Sequence, residues 1–179
     1  NQTFLSNNVM SNVASGFIKK NKSQLQKVVN AVDSTSSKVV EINFLTKTQE
    51  INEYLTKTIM EINDANSGSG KKKSIYILGR YKHHKPNLDS ILPFLRNCTF
   101  EFKTIHSSKG LQADYVILLG LNSGSSAFPA EKEDDPLLNL VLPQPEIHAF
   151  AEERRLFYVA LTRAKEKVYL IGERSSVFL

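Results

Sequence analysis

The sequence predicts an α/β fold in which a mostly parallel sheet is covered by helices on both faces. Two observations lead there: strand-like and helix-like segments alternate along the chain, and the strand-like ones include near-continuous apolar runs. A strand buried on both faces reads as an unbroken apolar run, and such strands belong to parallel sheets whose crossovers pack on the faces. At 179 residues with 41% apolar side chains, the chain is long enough for one well-cored domain and too short for two comfortable ones.

The elements follow in order. Residues 8–20, NVMSNVASGFIKK, space Val9, Val13, Phe17 and Ile18 at helical intervals and end in a basic turn. KVVEINFL at 38–45 reads as a strand. TQEINEYLTKTIMEIND at 48–64 reads as an amphipathic helix carrying Ile51, Leu55, Ile59 and Ile62. ANSGSGKKK is a loop rich in turn residues. SIYILG at 74–79 is a short buried strand, NLDSILPFLRN at 87–97 a helix interrupted by Pro93, and TFEFKT at 99–104 an alternating strand. DYVILLGL at 114–121 is an unbroken apolar strand. Residues 122–150, rich in Pro, Ser and acids, form a long loop with room for a short helix at PLLNLVL. A helix over 151–164 and the strand KVYLIG complete the pattern.

Composition narrows the function classes. The longest compact apolar run, YVILLGL at 115–121, is far shorter than a membrane span. The single cysteine, Cys98, excludes an internal disulfide and a cysteine-based zinc site, and points to a reducing, cytoplasmic compartment. No spacing of ligands suggests a metal site. The net charge of +5 and pI near 9.2 suit a polyanionic partner. The chain opens NQTFLSNN, already in pattern and without a methionine or a signal peptide, and reads as a piece of a longer protein.

In open parallel sheets, ligands gather beyond the carboxyl ends of the strands. Two loops there carry charge and donors: GRYKHHK after Gly79 and HSSKG after Thr104. A third feature stands apart. With about 100° of turn per residue, Leu156, Phe157, Val159, Ala160, Leu161 and Ala164 share one helix face, and Arg163 falls within it. Such an arginine either completes the last turn, where a cation suits the helix dipole, or is aimed at an anion outside the domain.

TIHSSKGLQADYVILLGL (104–121), the FP pair (128–129) and EERRLFYVALTRAKEKVYLI (152–171) together resemble motifs V and VI of superfamily 1 helicases of the UvrD/Rep type, in the wording of the bacterial DNA helicase IV group. NQTFLSNNVMSNVASGFIKKN resembles the family's motif IV and its helix. The resemblance implies that residues 1–179 are the second of two RecA-like motor domains, closing over ATP and Mg2+ bound mainly by the first. It implies single-stranded DNA and that first domain as partners. The stretch SGSGKKKS at 67–74 lacks the GxxxxGK[ST] spacing of a phosphate loop. A domain without that loop should not hydrolyse ATP alone.

Residue by residue, the resemblance assigns Arg163 to the γ-phosphate as an arginine finger, the catalytic role, with Tyr158 and Thr162 structural. It assigns Gly110 and Gln112 to the nucleotide sugar, where Gln112 stands in place of the glutamate usual in the UvrD/Rep group. Thr104 and His106 fall to the DNA backbone, with Ser107 and Lys109 beside them, and Arg80 lies near the DNA path with Tyr81 and His83. Leu5 stands where motif IV usually has a second phosphate-binding arginine. The span from Arg80 to Thr104 holds one helix and one strand, with no room for the large subdomain that UvrD and Rep insert there. The implied function is an ATP-dependent 3′–5′ DNA helicase or translocase. The alternative is a nucleotide-switched module acting on RNA polymerase, which the motif IV leucine would suit.

Overall fold

A computed structural model of the chain describes residues 40–45, 47–68, 70–123, 127–130, 150–173 and 176–179. The expected helix at 8–20, Leu5 and the PLLNLVL segment lie outside the described residues. In chain order the elements are β1 (Val40–Phe44), α1 (Thr48–Ala65), β2 (Lys73–Gly79), β3 (Cys98–Thr104), β4 (Ala113–Leu121), α2 (Ala151–Leu161) and β5 (Ala164–Gly172). Short 3-10 turns occupy Lys82–His84, Asp89–Phe94 and His106–Ser108.

The strands form a five-stranded sheet in the order β1-β5-β4-β2-β3, and each neighbouring pair is parallel. β4 sits at its centre between β5 and β2, which is why its sequence is apolar without interruption: Val116 and Leu118 enter one core, Ile117 and Leu119 the other. On the first face α2 packs Leu156, Phe157, Ala160 and Leu161 against Leu78, Val168 and Leu170, with Phe128 and Phe178 filling in beside them. On the second, α1 contributes Leu55, Ile59 and Ile62 over Ile75, Ile77 and Ile171. The expected α/β fold, parallel and covered on both faces, is therefore the one observed. Among the described residues, no helix is long and apolar enough to cross a membrane.

Two expected helices differ. The segment at 87–97 winds only as the six-residue 3-10 turn Asp89–Phe94. Pro93 lies inside it, and a proline offers no backbone N–H to continue an α-helical ladder. The last helix ends at Leu161, not at 164, and β5 begins at once with Ala164. Arg163 thus lies in the helix-to-strand turn, not on the helix's apolar face.

Candidate functional site

Because the sheet is parallel, its two ends are chemically distinct. β2 and β3 end side by side, with Gly79 paired to Thr104, so Arg80 and His106 emerge together at the carboxyl edge. β4 and β5 start side by side, with Ala113 paired to Ala164 and the Ala113 N–H donating to the Arg163 carbonyl at 3.0 Å. Gly110, Gln112 and Arg163 therefore cluster at the amino edge. Residues 105–112 connect the two, so that one short segment reaches both ends of the sheet.

At the carboxyl edge Arg80 is clamped. Its Nε donates to Glu153 Oε1 and Oε2 at 3.0 and 3.2 Å, and its Nη2 donates to Oε1 at 2.8 Å. The Arg80 and Glu153 side chains are only 10% and 9% exposed, which makes this a buried, bidentate pair. The Ala130 N–H donates to Glu153 Oε2 at 3.2 Å. Glu153 lies in the first turn of α2, where the helix dipole favours a carboxylate. Arg80 Nη1 lies 3.4 Å from His106 Nδ1, and the guanidinium stacks over Tyr81 with 5.1 Å to the ring centroid.

Around this clamp the loops are tightly built. Thr104 Oγ1 accepts from the Ser107 N–H at 3.2 Å and donates to Ser107 Oγ at 3.0 Å, capping the turn that carries exposed His106. The buried Ser108 hydroxyl donates to the Ile105 carbonyl at 2.7 Å. Tyr81 and His83 stack with ring centroids 5.4 Å apart. His84 fills a slot between Gly79 and Gly120: a Cβ on Gly120, whose φ is +77°, would fall 2.8 Å from the His84 ring. Glycine is required there both by the backbone and by the close approach.

At the amino edge Arg163 is half-buried and meets only neutral acceptors. Its Nε donates to the Val159 carbonyl at 3.0 Å, Nη1 to the Leu111 carbonyl at 3.1 Å and Nη2 to Thr162 Oγ1 at 3.2 Å. No carboxylate pairs with it among the described residues. Burial lowers its pKa from the ordinary arginine value, with Tyr158 acting the other way. An arginine so placed stays charged at neutral pH. Thr162 donates to the Tyr158 and Val159 carbonyls at 2.9 and 3.0 Å, closing the end of α2. Gly110 adopts φ +82°, and a Cβ there would meet nothing within 4 Å, so the turn's backbone, not crowding, explains the glycine. Gln112 is half-buried and Lys109 exposed.

The structure thus divides the expected residues into two groups: Thr104, His106 and Arg80 together at one edge, Gly110, Gln112 and Arg163 at the other. The carboxyl-end rule locates the first group and not the second. Glu153 was missed by sequence reasoning, although a signal existed. It shares the helical stripe of Leu156, Phe157 and Ala160, and an acid on an apolar stripe calls for a buried partner. Among the described residues no group of side chains could hold a metal ion.

Residues 96–175 match the family described as UvrD-like helicase C-terminal domain. That segment of the chain belongs to it. In particular, the chain is 37% identical over 176 residues to DNA helicase IV of Escherichia coli strain K12, a match covering 97% of this chain and 24% of the relative. It is 41% identical over 91 residues to the A component of the ATP-dependent helicase/nuclease of Staphylococcus aureus strain JH9, covering 38% of this chain and 8% of that one. The chain spans about a quarter or less of the length of these relatives. A solved structure, the C-terminal domain of a possible DNA helicase from Lactobacillus plantarum WCFS1, superposes with a TM-score of 0.58 at 13% identity. It covers 98% of this chain and 92% of that one, and shares the fold.

Proposed function

We propose that the chain is the second motor domain of an ATP-dependent 3′–5′ DNA helicase or translocase, and that its two sheet edges serve two ligands. The observation that carries this reading is Arg163: a charged guanidinium held in place by neutral carbonyls, with no acid to balance it among the described residues. Such a group is prepared for an anion supplied from outside the domain. The γ-phosphate of ATP with its Mg2+, held mainly by the first motor domain, is the anion the family resemblance supplies. A planar, permanently charged donor suits the charge on a transferring phosphoryl group.

Gly110 and Gln112 lie on the same edge, where the Gln112 amide would reach the nucleotide sugar by donating or accepting. Thr104, His106 and Arg80 would line the strand on the opposite edge, as polar donors suited to phosphates regardless of base sequence. Residues 105–112 touch both edges, so closure of the two motor domains around nucleotide would shift the strand-facing turn with it.

The test is ATP hydrolysis by the full-length protein and its Arg163→Ala variant, each with and without single-stranded DNA. A DNA-stimulated rate that collapses in the variant while nucleotide binding persists is expected. A stimulated rate indifferent to the substitution would return Arg163 to capping α2. A rate indifferent to DNA would favour a nucleotide switch acting on another partner, such as RNA polymerase.

A further inference from the structure

We infer that Glu153 and Arg80 are a positioning pair that fixes His106 as a hydrogen-bond donor toward a DNA phosphate. The inference rests on reading the carboxyl edge as a strand track, and goes beyond it by giving Glu153 a role and changing that of Arg80.

The chemistry begins with what a guanidinium cannot do. It donates hydrogen bonds and never accepts them. The 3.4 Å contact between Arg80 Nη1 and His106 Nδ1 therefore makes Nδ1 the acceptor and puts the ring proton on Nε2. In an imidazole the partner of one nitrogen sets the role of the other. Nε2–H is then the donor on the far side of an exposed ring, where it can be offered to a backbone phosphate.

Arg80 itself is poorly placed to grip a phosphate as a cation. Its charge is balanced by Glu153 through three close contacts, and both side chains are about nine-tenths buried. What the pair provides is direction. Glu153 is fixed by the Ala130 N–H and by the first turn of α2, Arg80 is fixed by Glu153, and the Nη1 corner fixes the imidazole. The stack of Arg80 over Tyr81 removes its remaining freedom.

The experiment measures DNA-stimulated ATP hydrolysis by the full-length protein as a function of oligothymidylate concentration. Glu153→Gln and Arg80→Lys should each raise the half-saturating DNA concentration about fivefold, the factor one hydrogen bond is typically worth, more than they lower kcat at saturating DNA. In a His106→Ala background the same substitutions should add no further rise, because their effect passes through the imidazole. Arg80→Lys keeps a buried cation beside Glu153, so it reports even where Glu153→Gln reduces the yield of folded protein. Equal rises in both backgrounds, or single variants that saturate as the wild type does, overturn the inference and leave the strand track standing. A wild-type rate that ignores DNA overturns both.

Discussion

The two edges of the sheet handle a guanidinium in opposite ways. Arg80 at the carboxyl edge is paired bidentately to a carboxylate, buried and neutralised. Arg163 at the amino edge is bonded to the Val159 and Leu111 carbonyls and the Thr162 hydroxyl, and its charge has no acid beside it among the described residues. The same side chain thus stands in two electrostatic states, set by its acceptors. A neutralised arginine transmits geometry; an unbalanced one keeps its field for a ligand. Removing a charge therefore has different consequences at the two edges, and the following experiments exploit that.

The largest expected effect is on chemistry at the amino edge. Arg163→Ala should lower DNA-stimulated turnover of the full-length protein by about 10³-fold or more, with nucleotide affinity retained. Arg163→Lys should recover only part of that loss, since it keeps the charge without the fork. If lysine restored the full rate, the geometry described for Arg163 would be irrelevant to catalysis.

Next comes stability at the carboxyl edge. Glu153→Ala leaves Arg80 buried and unpaired, a change that costs about 3–5 kcal/mol in buried pairs. Hydrogen exchange in the full-length protein should show faster opening of β2 and α2 together. Protection unchanged in both would break the contrast between the two arginines.

A smaller effect separates two of the positive-φ glycines, Gly120 and Gly110. Gly120→Ala must accept both a strained backbone and a Cβ 2.8 Å from the His84 ring, whereas Gly110→Ala meets open space and bears the backbone strain alone. Thermal unfolding should report a loss of about 2–3 kcal/mol for the first and about 1 kcal/mol for the second. Equal losses would mean that the His84 slot relaxes freely.

The smallest effect comes from an ion pair remote from both arginines. Glu41 Oε2 accepts from Lys167 Nζ at 2.9 Å, and Glu41 Oε1 accepts from the Tyr54 hydroxyl at 2.9 Å. The Lys167 ammonium chiefly holds the Glu41 carboxyl down at about 2, against 4.5 ordinarily. A depressed carboxylate stabilises the fold fully above 4.5 and loses that contribution as pH falls through about 2. Discounted for the partial exposure of the pair, its contribution is about 0.5–1 kcal/mol. Glu41→Gln should flatten that part of the acid unfolding profile; an unchanged profile would remove the pair from the account.

Much of this molecule was legible in its letters, for identifiable reasons. β4 and β2 announce themselves because burial on both faces leaves no polar alternation to confuse. The end of α2 was misjudged because Ala164 continues the apolar spacing of the helix while serving as the first buried residue of β5. Periodicity cannot separate an apolar letter used by a helix from one used by the strand that follows it. The residues expected at the two edges come from motif wording. The pairing of Arg80 with Glu153 was not, since it joins positions 73 apart through the fold and leaves only the oblique trace of an acid on an apolar stripe.

The strand order also has a consequence for how the chain is made. β5 lies between β1 and β4, and Glu41 meets Lys167 across 126 positions of sequence. On a ribosome adding about 5–20 residues per second, β1 emerges several seconds before the strand that must seat it. Among the described strands β5 is made last, and β1 must wait for it before the pairing seen in the sheet can form. Non-local parallel pairing of this kind is slow to form and open to aggregation while it waits, so closure of the described sheet is timed by the synthesis of β5.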